Sequence, residues 1–454
     1  MGKFNSGREA VCGGGQMLSR RSVMLGAGAG LLGLGATSAH AQATEASWWE
    51  SIFDPLANNR AQAPVRPPQD VLNDLRPDSV PLRSDVMLQQ MDAAVERYQK
   101  IVSRGGWTPI PAGRQMRPGD DDSRIPYVRR RLVISGDHRL HGDGFNMSQR
   151  FDGELEEAVK RFQESFGLRT TGRVDPPTLA QLNVSAHARL EQLKLNQRRI
   201  RELMQSRIED RYVVVNVPGF QLEAVEGQSV RLRHRVIVGK QDRQTPSIRA
   251  SIRALNFFPY WRVPDSVANL DLIPRLVKEP DYLQKEQIKA FNGFGGSEID
   301  TTQIDWRLAD ASKIKFRQEP GPQNALGLVR IDMPNEHIVY MHDTPMKPLF
   351  GQRARAFSAG CVRVQDVFQL VEWIARYETG WENPGRVQDV IAAGQPLDVT
   401  LSRQIPVYFT YITAWAEADG RVEFRPDIYG RDGSREFAGE HDAEAPPPPV
   451  TLAP

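Results

Sequence analysis

The sequence predicts an α+β multidomain protein with three parts. A mostly-β unit over 211–400 carries a helical insertion at about 266–320. A small three-helix unit covers 123–185, and helical scaffold segments flank it. Three observations carry this prediction. Apolar residues recur at helical spacing from Ser84 to Asn183, and at Arg211 the period changes to that of β-branched, alternating strands. Pro218-Gly219 and Glu226-Gly227 punctuate the alternating stretch as hairpin turns. The chain has 454 residues, enough for roughly three units at about 150 residues each.

Composition sets limits on function. Hydrophobic residues make up 40% of the chain and charged residues 25%, a globular balance. Lys plus Arg total 58 against 56 Asp plus Glu, so the net charge of +2 lacks the basic excess of a nucleic-acid binder. Only two cysteines occur, Cys12 and Cys361, which excludes a disulfide scaffold and a zinc site built from several thiolates.

The first 41 residues read as a signal peptide of the twin-arginine type. Arg20-Arg21 precede an uncharged Gly/Ala/Leu stretch, and Ala39-His40-Ala41 is a small-x-small cleavage site. The apolar stretch is shorter than the ~20 residues a membrane span needs. The true start is Met1 or Met17. The expected protein is therefore exported to the periplasm, keeps no membrane span after signal removal, and carries one thiol, Cys361.

Residues 42–122 are expected to form an exposed leading segment, in which Trp48, Trp49 and Phe53 are docking candidates, and then a scaffold helix. Met87, Met91, Ala94, Val95, Tyr98 and Val102 form that helix's apolar stripe. In 123–185, Asp152 is a candidate N-cap, and Leu155, Val159, Phe162 and Phe166 form a second stripe. A turn at Thr171–Asp175 leads to a short helix holding Thr178, Leu179 and Leu182. Residues 186–210 read as a charged scaffold helix. Strands are expected over Tyr212–Val217, Phe220–Glu226, Val230–Val238, Ile252–Phe258 and His337–His342. The insertion after Trp261-Arg262-Val263-Pro264 is expected to be helical or irregular and to serve as a lid. Residues 401–439 form a hairpin extension, and the Pro-rich 440–454 a disordered tail.

The chemistry gathers around Cys361. A thiol at neutral pH is mostly protonated, and the thiolate is the nucleophile. His342 lies 19 residues upstream and is expected to share a strand face with Ile338 and Tyr340, with His337 on the other face. An imidazole there takes the thiol proton, and the imidazolium then stabilises the thiolate. Backbone N–H groups at Gly360-Cys361 are candidate oxyanion donors. Arg363 either anchors a substrate carboxylate or holds the loop. Asp366 is a candidate cap for the helix bearing Val367, Leu370, Val371 and Ile374. His138 and His141 are read as part of a solvated loop rather than a metal site, and His234 as exposed. No metal and no cofactor are expected.

Two resemblances follow from these residues. The unit holding Asp152-Gly153, Ala158-Val159, Phe162-Gln163, Gly167-Leu168, Thr171-Gly172, Val174-Asp175 and Thr178-Leu179 resembles the peptidoglycan-binding domain found beside cell-wall enzymes. His342-Asp343-Thr344-Pro345 followed by Ser358-Ala359-Gly360-Cys361-Val362-Arg363 resembles the L,D-transpeptidase catalytic domain of the YkuD type. The nearest subgroup is the large murein L,D-transpeptidases with a peptidoglycan-binding domain and a capping insertion. Further matching pieces are Val238-Gly239-Lys240, Thr245-Pro246, Tyr260–Pro264, Pro320–Gly327, Tyr411–Trp415 and Phe424–Gly430. Many family members carry His where this chain has Ala359.

The resemblance implies Cys361 as nucleophile and His342 as proton acceptor and donor. It places Tyr340, Ser358, Gly360 and Arg363 at substrate-lining positions. It implies a thioester acyl-enzyme that releases D-Ala from a tetrapeptide stem of peptidoglycan and passes the acyl group to an amine of a second stem, making a 3→3 cross-link. Carbapenem β-lactams would be expected to acylate Cys361. Water as acceptor, giving an L,D-carboxypeptidase, and a non-catalytic wall-binding protein are the alternatives. The oligomeric state is left open.

Overall fold

The computed structural model describes residues 75, 80–138, 147–293, 295–310 and 312–433. The signal region, Trp48, Trp49, Phe53, His141 and the tail lie outside them. Among the described residues, no helix is long and apolar enough to cross a membrane.

Helix α1 (Asp85–Ser103) starts where Ser84 Oγ accepts the Met87 N–H at 3.1 Å. Helices α2 (Ile125–Ser135), α3 (Gly153–Ser165) and α4 (Pro176–Asn183) form the three-helix unit. Asp152 caps α3 by accepting the Leu155 N–H at 2.9 Å, and Asp175 caps α4 by accepting the Thr178 N–H at 3.0 Å. Helix α5 (Ala186–Leu203) follows, capped by Ser185.

The β-rich unit begins with β1 (Arg211–Asn216), β2 (Gln221–Glu226), β3 (Ser229–Gly239) and β4 (Ile248–Phe257). It continues through β8 (Val329–Asp332), β9 (Met341–His342), β10 (Ala356–Ser358), β11 (Val362–Val364) and β12 (Leu397–Thr410). These make one nine-stranded sheet in the order β10-β3-β11-β9-β8-β4-β12-β1-β2. A further β2–β3 pairing joins the two ends, so the sheet closes on itself and β10 hangs from β3 outside the ring. Helix α6 (Val367–Ala375) contributes Val367, Leu370, Val371 and Ile374 to the same core.

The period of two along β1 sorts side chains between two cores. Val213 and Val215 point into the core with α6, whereas Tyr212 and Val214 join α1, α3 and α5 on the outside. The scaffold helices thus pack on the outer face of the ring. A hairpin of β13 (Ala414–Ala416) and β14 (Val422–Phe424) completes that outer layer, with Phe424 stacked on Phe166 at 5.0 Å.

Several expectations need correction. The leading segment is buried where it ends: the Leu82 N–H donates to Glu223 at 3.0 Å, and Arg83 pairs with Glu209 at 2.7 Å over the Tyr408 ring. The insertion is not wholly helical or irregular. After helical turns over 265–278 and at Tyr282–Lys285, it forms a sheet of β5 (Trp261–Arg262), β7 (Ile314–Gln318) and β6 (Ile288–Asn292) around a core holding Trp306 and Phe316. The boundary expected at 400 falls inside β12, which pairs with both β4 and β1. Asp366 sits at the cap position of α6 in left-handed conformation and makes no side-chain cap bond. His234 is buried because its ring turns inward and Nδ1 meets the Gln365 carbonyl at 2.8 Å. His138 is also buried rather than solvated.

Candidate active site

Strands β9 and β11 run parallel, with Met341 opposite Val362 and His342 opposite Arg363. The Val362 N–H donates to the Tyr340 carbonyl at 3.0 Å, which extends the register back by one residue. Cys361 therefore lies beside Tyr340, and alternation puts Tyr340, His342, Cys361 and Arg363 on one face. Cys361 and His342 are diagonal neighbours, a separation that side chains of this size can bridge. All four line a cavity of about 980 Å³, together with Ser358, Trp261 and Arg330.

His342 is only 5% exposed, and its Nδ1 meets the Asp343 carbonyl at 2.5 Å. A carbonyl accepts only, so Nδ1 carries the proton, and in the neutral ring Nε2 is left as the base. Burial, reinforced by the positive charge of Arg363, pulls the imidazole down to about 3. Burial likewise pushes the Cys361 thiol up to about 11, against the opposing effect of hydrogen bonds from Tyr340 and the charges of Arg363 and Arg330. The resting pair is thus neutral thiol and neutral imidazole, not the thiolate–imidazolium pair expected from residue types alone.

Tyr340 mediates between the cap and the thiol. The Trp261 side chain, whose only polar hydrogen is the indole N–H, donates to Tyr340, and the Tyr340 hydroxyl bonds to Cys361 so as to favour the thiolate. Arg330 lies over the Tyr340 ring at 5.5 Å and bonds Asn256 at 3.0 Å and Asp332 at 3.1 Å. Arg363 is buried beside Met346, and burial brings its guanidinium down to about 9.

The loop that carries Cys361 is a closed knot of hydrogen bonds. Ser358 Oγ donates to the Cys361 carbonyl at 2.5 Å and accepts the Gly360 N–H at 3.1 Å. The Gly360 N–H, one of the two donors expected to serve an oxyanion, is therefore directed to Ser358. Gly360 has φ of 115°, a region open to glycine but not to ordinary L-residues. Thr245 Oγ1 holds the Gly360 carbonyl at 2.8 Å.

Asp343, Gly327, Trp261 and Arg330 were not singled out for chemistry in the sequence, yet they shape the site. Asp343 accepts the Leu328 N–H at 3.0 Å and pairs with Lys347, which fixes the carbonyl that orients His342. Gly327 packs directly against that carboxylate: a Cβ there would fall 2.6 Å from Asp343 Cβ. The only sequence signal was the Pro320–Gly327 match. His337 and Ile338 also line the cavity, although the chain before Met341 is not strand, so parity along it did not separate His337 from His342. The cavity's outer wall comes from 258–267, the approach to the insertion, rather than from the insertion's bulk. Among the described residues, no cluster of His, Cys, Asp and Glu could hold a metal ion.

These features define a two-module protein: a closed β-sheet unit with a Cys–His site under a cap, joined to a capped three-helix unit. Comparison with known proteins gives both modules a family. Residues 210–397 match the YkuD family, described as the L,D-transpeptidase catalytic domain, and 128–182 match a family described as a putative peptidoglycan binding domain. The chain therefore carries a YkuD-type L,D-transpeptidase catalytic domain together with a peptidoglycan-binding domain. A Haemophilus influenzae protein named "Putative L,D-transpeptidase" is 33% identical over 221 residues, 48% of this chain and 44% of that protein. The chain thus spans less than half the length of this curated relative. Among solved structures, an L,D-transpeptidase from Stackebrandtia nassauensis aligns over 66% of this chain and 96% of its own at 12% identity and a TM-score of 0.24. One from Xylanimonas cellulosilytica aligns over 66% and 98% at 13% identity and a TM-score of 0.20.

Proposed function

We propose that the protein is a cysteine acyltransferase of the cell wall, an L,D-transpeptidase that forms 3→3 cross-links in peptidoglycan. The observation that carries this reading is the Cys361–His342 diagonal on the cavity face of two paired strands, inside a domain matching the L,D-transpeptidase family. Cys361 Sγ attacks the amide carbonyl preceding D-Ala in a tetrapeptide stem, while His342 Nε2 takes the thiol proton. The tetrahedral oxyanion is met by the Cys361 N–H and the Tyr340 hydroxyl. His342 returns the proton to the leaving nitrogen, D-Ala departs, and a thioester remains. An amine of a second stem attacks the thioester and restores the thiol. Arg363 balances the charge that develops on this face. Such a reaction takes place outside the cytoplasm, in keeping with periplasmic export through the twin-arginine signal.

The test is incubation of the purified protein with tetrapeptide muropeptides and product analysis by mass. Cross-linked dimers with loss of D-Ala are expected, and Cys361→Ala should abolish them. Tripeptides alone would instead indicate a carboxypeptidase, and unchanged substrate would overturn both readings in favour of a non-catalytic wall-binding protein.

A further inference from the structure

Ile338 combines three properties that seldom coincide. It has φ of 54°, it is 79% exposed, and it lines the cavity that holds Cys361. A β-branched residue in the left-handed region is a genuine outlier. Gly or Asn would adopt the same backbone with less strain, and either would avoid presenting a large aliphatic side chain to water.

The conformation is held in place by its neighbours. Asn335 Nδ2 donates to the carbonyls of Met333 at 2.6 Å and Val339 at 2.7 Å, and its Oδ1 accepts the N–H groups of His337 at 3.1 Å and Val339 at 3.3 Å. The Ile338 N–H donates to the Asn335 carbonyl at 3.2 Å. One side chain thus cross-ties the turn on both sides of Ile338, and buried Val339 anchors it to the core inside the sheet ring. The turn then leads directly into Tyr340, the neighbour of the thiol.

A strained turn held rigid so as to present an aliphatic group at the rim of a cavity has the form of a preorganised contact. We propose that Ile338 is a specificity-determining residue: it forms the apolar wall against which an aliphatic part of the group acylating Cys361 packs. This rests on the reading above that Cys361 is the nucleophile. The ligand feature it selects is a methyl or methylene segment next to the reacting carbonyl.

The test compares alkylation of Cys361 by iodoacetamide and by N-hexyl iodoacetamide, read as saturation kinetics on the Cys361 peptide by mass, in the full chain and in I338N and I338A. Asn keeps the left-handed turn, so I338N should match or exceed the parent in Tm while the rim loses its aliphatic group. The parent should favour the hexyl reagent. I338N and I338A should lose that preference by roughly four- to fifteenfold, the contribution of one to two buried methylenes, with iodoacetamide itself unaffected. With the tetrapeptide, KM should rise while kcat holds. Hexyl preference unchanged in both variants overturns the inference whatever the turnover assay shows. Lost preference in a protein that turns over no muropeptide supports the inference and removes the transpeptidase reading instead.

Discussion

The hydroxyl of Thr245 donates to the Gly360 carbonyl at 2.8 Å, one residue ahead of Cys361, and accepts the Gly239 N–H at 2.8 Å. The Tyr429 hydroxyl continues this link, accepting the Thr245 N–H at 3.2 Å and donating to the Gly239 carbonyl. The segment after β14 is therefore tied through two hydroxyls to the loop that presents Cys361.

Thr245→Val removes the hydroxyl, leaving the buried Gly360 carbonyl without its donor and the buried Gly239 N–H without its acceptor. A loss of about 1–3 kcal/mol in stability is expected. Because Gly360 can change conformation once released, kcat should fall more than the modest shift in Tm would suggest. Unchanged kcat in a destabilised protein would show that the tie has no bearing on the nucleophile.

The half-buried thiol gives a sharp expectation for pH. With Cys361 pushed up to about 11, little thiolate exists at pH 7. Its alkylation by iodoacetamide should keep rising with pH through 9 and beyond, without a plateau near neutrality. Tyr340→Phe deletes a hydrogen bond that favours the thiolate, so the profile should move further up and the rate at pH 8 should drop by roughly tenfold. A plateau below pH 8 in the parent would contradict the neutral resting pair.

Gly327 is held at φ of 62°, with the Asp343 carboxylate against the place a Cβ would occupy. Gly327→Ala should destabilise by about 2–4 kcal/mol, combining backbone strain with a displaced buried acid. The Asp343 carbonyl shifts with its side chain, so His342 loses its orientation and turnover should fall even in protein that remains folded. A variant with parental Tm and turnover would refute this packing.

His342 contributes to acid sensitivity in a direction fixed by its shift. It binds a proton near 6.5 when unfolded but near 3 when folded. Between those values the unfolded chain holds a proton the native state lacks, so stability rises with pH there and is lost as pH falls from 6.5. His342→Gln should flatten that slope by up to about 1.4 kcal/mol per pH unit. Denaturant titrations at pH 4, 5 and 6 compare the two directly, and parallel slopes would refute the buried neutral imidazole.

Much of this architecture was legible in the sequence because it rests on local chemistry. The α1 stripe from Met87 to Tyr98, the caps at Ser84, Asp152 and Asp175, and the turns at Pro218-Gly219 and Glu226-Gly227 each follow from a few neighbouring residues. That Cys361 and His342 come together was legible from residue type and motif, but their protonation state was not, because that depends on burial in the fold and on the charge of Arg363. Ile338 reads as strand because Ile338, Tyr340 and His342 fall at every second position of an apolar stretch, whereas Asn335 curls the chain by binding four backbone groups. His234 alternates with arginines in the sequence, yet its ring is covered by the loop at Gln365. The small sheet of the insertion stayed hidden because β5 has two residues and its one partner there is the distant β7, with Trp261 opposite Gln318 and Arg262 opposite Arg317, while β6 joins through the other edge of β7. Such distant pairing leaves no periodic trace.

Ring closure has a practical consequence for anyone dividing this chain. The family match ends at 397, where β12 begins. A fragment cut there would lose the strand that bridges β4 and β1, and each would present a raw edge of unpaired N–H and C=O groups to other molecules. It would also lose Tyr411, whose hydroxyl donates to Asp427 at 2.5 Å and accepts the Tyr429 N–H at 2.8 Å. A piece that keeps β4 and β1 paired therefore includes β12, and one that keeps the Tyr411 bonds extends through Tyr429, well beyond the segment that the family match covers.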